Sequence, residues 1–179
     1  MDATITESLD MSDCRDLGVE ATITISSAKP GNGVEQLRDG NLETYWQSDG
    51  AFPHSINIQF LRRVTVSKVC LYLDYGSDES YTPKKVSVSS GSSLHDLNDV
   101  AAVELNEPVG WVTLSLDTEE GCLRTHMLQV RVLGMHQNGR DTHVRQVRVL
   151  GPRESHRVMG DCSYSSFNTV EMQQFALIR

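Results

Sequence analysis

The densest run of hydrogen-bonding side chains in this 179-residue sequence is HQNGRDTH, from His136 to His143. Two imidazoles, two amides, a guanidinium, a carboxylate and a hydroxyl within eight residues can bind a polar ligand, hold a metal or move a proton. The pair Asn138–Gly139 predicts a tight turn between two strands. A turn needs only that pair, which leaves His136, Gln137, Arg140, Asp141, Thr142 and His143 without a purely local reason. A second run, LETYWQSDG at Leu42–Gly50, sets Tyr45 and Trp46 ahead of Gln47, Ser48 and Asp49. Trp46 can plug its own loop or stack on a ligand, and both readings stay open. A third run gathers Asp74, Ser77, Asp78, Glu79 and Ser80 before Tyr81.

These residue types do not assemble into a known catalytic or metal pattern. His136, Asp141 and His143 with Ser48 would be the parts of a hydrolytic triad, but no G-x-S-x-G or H-E-x-x-H frames them. Calcium needs six to eight oxygens, and EF-hand spacing is missing around Asp74–Glu79. A glycosidase pair is defined by the separation of its carboxyls, which a sequence does not contain. The cysteines at 14, 70, 122 and 162 are too far apart to form zinc-ligand pairs; Cys70, in an apolar run, reads as a small core residue. No catalytic residue, metal ligand or cofactor is therefore assigned.

The net charge of −8 and pI of about 5.2 argue against a nucleic-acid partner. The charge is uneven: residues 1–50 hold ten acids against Arg15, Lys29 and Arg38, whereas 136–157 hold five arginines against Asp141 and Glu154. With no apolar h-region, no N-x-[ST] and no apolar stretch near 18 residues, the expectation is a reduced, intracellular chain that does not enter a membrane. The end of the sequence is QQFALIR, where Leu177 and Ile178 precede Arg179. Capture of such an apolar, zwitterionic end by a partner is an established recognition mode.

The elements that must position these groups are strands. Period-two alternation marks Thr22–Ser27, Ser55–Phe60, Val64–Asp74, Lys85–Ser89, Val100–Leu105, Trp111–Leu116, Met127–Leu133 and Val144–Leu150. A phase shift near Lys68 predicts a bulge or bend. No helical stretch long enough for a crossover lies between the strands, so the fold class is all-β, an antiparallel sandwich and most simply a jelly roll. Short helical pieces are expected near the two ends, at Val34–Asp39 and Ser166–Phe175. Residues 1–17 read as an acidic mobile tail with a short helix near Cys14–Leu17, residues 18–152 as one β-domain, and 153–179 as a C-terminal extension.

The blocks VEQLRDGNLETYWQSDG at Val34–Gly50 and HQNGRDTHVRQ at His136–Gln146 resemble the Doc-domain family, the tenth subunit of the anaphase-promoting complex. Asn57–Phe60, Asp74–Pro83, Pro108–Trp111 and the final Ile-Arg are similar to it too. The resemblance implies a galactose-binding-like jelly roll and a non-catalytic subunit of a cullin–RING ubiquitin ligase, working in nucleus and cytoplasm on cell-division proteins. It implies a co-receptor that shares the destruction box of substrates with a WD40 activator and so raises processivity. The loops carried over are Tyr45–Gly50, Ser77–Tyr81 and His136–His143. Ile178 and Arg179, with Leu177 before them, correspond to a tail that enters a tetratricopeptide scaffold subunit. No role carries over to residues 1–17 or 151–170. The rival reading is a carbohydrate-binding module, since the same sandwich supports lectins and Trp46 could stack on a sugar.

Overall fold

The computed structural model describes residues 3–116 and 122–153. Alternating branched side chains give strands with one buried face, and two such faces closed on each other make the core. One five-stranded sheet has the order β1 (Thr4–Thr6), β9 (Val109–Ser115), β6 (Lys68–Asp74), β12 (Gln146–Pro152), β2 (Cys14–Asp16). The other has the order β3 (Ala21–Ile25), β5 (His54–Val66), β10 (Leu123–Met135), β7 (Pro83–Gly91), β8 (Asn98–Glu104). A two-stranded ribbon pairs β4 (Trp46–Gln47) with β11 (His143–Val144). Every strand pairing is antiparallel. Val69, Leu71, Val112, Leu114, Val147 and Val149 of the first sheet share one buried cluster with Ile56, Ile58, Val86, Val88, Leu128 and Val130 of the second. Cys70 is buried as expected, and burial pushes its thiol up to about 11.

Three expectations are corrected. Of the bulge or bend predicted near Lys68, the bend forms and the bulge does not: β5 ends at Val66 and β6 starts at Lys68 in the opposite sheet. The alternation changes phase because the buried side reverses when the chain changes sheet. Ser67 holds the corner, its N–H donating to Leu150 O and its carbonyl accepting from Leu116 N, both at 2.8 Å. Residues expected in a mobile N-terminal tail instead add edge strands, β1 on β9 and β2 on β12. Asp16 anchors this segment, accepting from Gly18 N and pairing with Arg38 at 2.8 Å. Such short edge strands hide because three residues, exposed in β1, carry no apolar period. The expected helix near Cys14–Leu17 is a 3-10 turn at Leu17–Glu20, and Val34–Asp39 contains another at Glu35–Leu37.

The third correction concerns Asn138–Gly139. Gln137 and Asn138 are left-handed (φ 52° and 57°), whereas Gly139 is not, as it would be in the predicted hairpin turn. The segment takes the chain from β10 in one sheet toward β12 in the other. Glycine is required at 139 for a different reason: a Cβ there would lie 2.0 Å from Ser80 O. Ser166–Phe175 and the tail residues Leu177, Ile178 and Arg179 lie outside the described residues.

Candidate functional site

The three polar runs, far apart in the sequence, meet at one end of the sandwich. Ser48 N–H donates to Thr142 O at 3.1 Å, and Ser48 Oγ accepts from Thr142 N at 2.8 Å. Thr142 Oγ1 donates to Tyr81 O at 3.4 Å, and His136 N donates to Thr82 O at 3.0 Å. The His136 ring also bridges loops. Its Nδ1 lies 3.0 Å from Thr82 O and its Nε2 accepts from Glu107 N at 3.2 Å, which assigns the ring hydrogen to Nδ1. Behind them, His54 is fully buried with Nε2 2.7 Å from Arg140 O, tying β5 to the 136–143 loop. Trp46 is fully buried, its indole N–H donating to Ser27 O at 2.8 Å.

A buried charged cluster sits where the runs meet. After β6, one turn of α-helix, α1 (Tyr75–Asp78), is capped by the Asp74 side chain and carries Asp78 inward. Asp78 accepts from Arg145 Nε at 2.9 Å and Nη2 at 3.0 Å, a bidentate pair, and from His143 Nδ1 at 3.0 Å. Burial alone would raise the Asp78 pKa, but bonds from His143 and Arg145 and the Arg145 charge hold it below the usual carboxylate range. Burial would likewise lower Arg145, and the bonds to Asp78 instead raise it. Arg145 Nη1 also donates to Leu42 O at 2.7 Å, reaching the second run. The His143 ring is stacked between Tyr45 (centroids 4.1 Å apart) and Tyr81 (4.3 Å), so one residue from each run forms a three-ring layer.

Burial sorts the expected site residues. Trp46, Gln47, Ser48, Asp78, His136, Thr142 and His143 are buried. Within the carried-over loops, Gln47, Ser48 and His143, expected from their polarity to supply hydrogen bonds to a bound peptide, are thus turned inward: the Ser48 hydroxyl is engaged by Thr142, and His143 Nδ1 by Asp78. The Ser48 hydroxyl bonds a backbone amide rather than an imidazole, so the triad considered above does not form. Asp49, Ser77, Glu79, Tyr81, Gln137, Asn138 and Arg140 are exposed, and Tyr45, Ser80, Gly139 and Asp141 are half-buried. Of the exposed set, Asn138 and Arg140 line an open groove of about 490 Å³ together with Gly50, Phe52 and Met135. Phe52, half exposed at 51%, packs edge-on to His54.

Sequence reasoning missed His54, Phe52 and Arg145 as members of this end. Arg145 and Gln146 stand in a strand-like run, and nothing in that run distinguishes a buried arginine from an exposed one. Gln146 is fully buried. Its Nε2 donates toward Gln36 O, Asp39 Oδ1 and Asn41 O at 2.7–3.1 Å, and its Oε1 accepts from Gly40 N at 3.3 Å. One amide thereby shapes the 36–41 loop that leads into Tyr45. Among the described residues no group of three or more His, Cys, Asp or Glu side chains converges to hold a metal ion.

This geometry belongs to a recognised family: the one described as "Anaphase-promoting complex, subunit 10 (APC10)" matches residues 2–176. The chain belongs to that family. Relatives named anaphase-promoting complex subunit 10 from Homo sapiens and Mus musculus are each 48% identical over 166 residues, covering 92% of this chain and 88% of theirs. The Saccharomyces cerevisiae subunit DOC1 is 34% identical over 158 residues, covering 86% of this chain and 63% of its own. As a subunit 10 family member, the chain is a subunit of the anaphase-promoting complex. Among solved structures, the family 32 carbohydrate-binding module of Clostridium perfringens NanJ in complex with galactose aligns at TM-score 0.62 and 14% identity. The match covers 75% of this chain and 96% of that one. The AlyQ module of the same family aligns at TM-score 0.59 and 20% identity, covering 72% and 92%. At these identities the likeness is one of fold: the chain has the jelly roll that its strand pattern predicts, of the galactose-binding-like kind that the family resemblance implies.

Proposed function

We propose that the chain is the non-catalytic destruction-box co-receptor of the anaphase-promoting complex, sharing extended degrons with a WD40 activator. The observation that carries this reading is the convergence of Tyr45–Gly50, Ser77–Tyr81 and Arg140-bearing His136–His143 on one end. There Asn138 and Arg140 line the Phe52 groove, and Asp49 and Glu79 of the other two runs are exposed. The polar set offers partners for peptide backbone and charged side chains, and Phe52 offers apolar surface. Loops on a rigid scaffold are the usual carriers of such contacts. A short extended peptide binds each surface weakly. Division between two proteins slows its departure, and off-rate is the quantity that sets how many ubiquitins are added per encounter.

In the same reading Leu177, Ile178 and Arg179 enter a tetratricopeptide groove of a scaffold subunit, and this tether raises the effective concentration of every other contact. The complex then acts in nucleus and cytoplasm. The carbohydrate reading loses its basis, because the Trp46 ring proposed to stack on sugar is buried and bonded to Ser27.

The test is a reconstituted ubiquitination assay with the full chain carrying Asn138→Ala and Arg140→Ala. Shorter ubiquitin chains on destruction-box substrates, with unchanged assembly, are expected. Unchanged processivity refutes the reading. Deleting Ile178–Arg179 should weaken recovery with the scaffold, and full recovery refutes the tail assignment.

A further inference from the structure

The opposite end of the sandwich carries a feature that the loop end does not use. In the β5–β10 pairing, Val64 faces Thr125 and the next paired residues are Gln59 and Met127. Phe60, Leu61, Arg62 and Arg63 thus stand opposite the single residue His126. Phe60 stays in register with Ala21 of β3 and turns inward, so Leu61–Arg63 form the thrown-out part of a large bulge. Leu61 is 97% exposed, and Val19, in the turn that holds Glu20, is 77% exposed. A leucine held almost wholly in water at the crest of a bulge adds nothing to this chain's core, and exposed apolar groups rimmed by charge mark contact surfaces.

Its surroundings are strongly basic. Arg15, Arg62, Arg63 and Arg124 line one open cleft of about 200 Å³. Glu20 meets two of them, bonding Arg15 at 2.8 Å and Arg62 at 3.1 Å, and those bonds lower its pKa. Arg63 and Arg124 are exposed, and among the described residues neither has a carboxylate within ion-pair distance. Arg63 Nε donates to the Arg124 backbone carbonyl at 3.2 Å, and both residues line the same cleft. Among the described residues, Arg62 pairs with Glu20 while Arg63 and Arg124 meet no carboxylate, so this side of the bulge carries positive charge in a chain whose net charge is −8.

We infer that the Leu61–Arg63 bulge, with Arg15 and Arg124, docks this chain onto a carboxylate-rich segment of another subunit of the complex, which covers Leu61 with an apolar side chain. Guanidinium groups match carboxylates bidentately, and unpaired exposed ones lose little solvation on meeting them. The contact lies at the end of β5 remote from His54 and the loop site, so a docked chain keeps the loop end open. The inference rests on membership of the complex and not on degron binding.

The test uses the full chain and the remaining subunits, without substrate. Arg63→Glu with Arg124→Glu should lower incorporation at least tenfold at physiological salt, and raised salt should weaken incorporation of the unaltered chain. Thermal unfolding of the isolated variant should match the unaltered chain. Unchanged incorporation overturns the inference, as does a loss that follows lowered thermal stability. A photoreactive p-benzoylphenylalanine in place of Leu61 should crosslink, in the assembled complex, to a stretch of another subunit rich in Asp and Glu. Crosslinks confined to this chain's own residues 117–121, or to a basic stretch, overturn it too.

Discussion

The two ends of the sandwich handle charge in opposite ways. At the loop end, Asp78, Arg145 and His143 are buried and bonded to one another, and the side chains left for a ligand are the exposed minority around Asn138 and Arg140. At the bulge end the guanidiniums of Arg63 and Arg124 are exposed and, among the described residues, meet no carboxylate, and a leucine stands in water beside them. Internal pairing makes a surface rigid, because each loop is held by the other two. Unmet charge makes a surface that is completed by something else. The first arrangement suits recognition of a flexible peptide; the second suits a lasting contact with a folded neighbour.

Removing the centre of the internal pairing should have the largest effect. Asp78→Ala leaves the Arg145 guanidinium buried without its carboxylate, and loss of one partner of a buried pair costs about 3–5 kcal/mol. Urea unfolding should report it. The pairing also predicts a pH dependence. Because the folded Asp78 pKa is held below its unfolded value, its contribution is complete above about pH 4 and is lost as pH falls through the lowered value. The stability gap between the unaltered chain and Asp78→Asn should therefore be full at neutral pH and close in acid. A gap constant with pH would mean that Asp78 acts by shape and not by charge.

Gln146→Leu is next. It removes the donor facing Gln36 O, Asp39 Oδ1 and Asn41 O, and a buried polar group left unmet costs about 1–3 kcal/mol. The 36–45 segment should lose amide-exchange protection before the sheets do. Gly139→Ala is of similar size, at about 1–3 kcal/mol for local overpacking. Its Cβ would meet Ser80 O, so the 136–143 and 79–81 loops must part. Substrate ubiquitination should fall by more than this stability change explains, while incorporation into the complex is kept.

How much of this was legible in the sequence depends on what reports a buried face. Ile56/Ile58 and Val112/Leu114 alternate and so announce their strands; β1 and β2 are three-residue edges with no period to read. The bulge was partly legible, since the apolar alternation stops at Phe60 and resumes at Val64, leaving Leu61–Arg63 outside both runs. The site was legible as polar density but not as orientation. Ser48 and Asp49, or Arg140 and Arg145, are all polar and have opposite exposure, and that difference arises only when segments 67 and 103 residues apart meet, as Arg145 does Asp78 and Leu42. Asn138–Gly139 misled because its tight-turn preference is local, whereas the close approach of Ser80 that requires Gly139 is not.

The smallest expected effect gives the sharpest contrast between the ends. Leu61→Ser should change the stability of the isolated chain by no more than about 0.5 kcal/mol, the usual range for surface substitutions, because Leu61 is almost wholly exposed. Within the assembled complex the same substitution should weaken retention, since a covered leucine contributes through area removed from water. A substitution silent in isolation and costly in company locates the contact in the partner's surface and not in the fold. Asn138→Ala provides the matching control at the other end: it too should be silent in isolation, but it should leave retention intact and shorten the ubiquitin chains on bound substrates. If Leu61→Ser and Asn138→Ala give the same pattern, the two ends do not have separate tasks, and the contrast in how they pair their charges has no functional meaning.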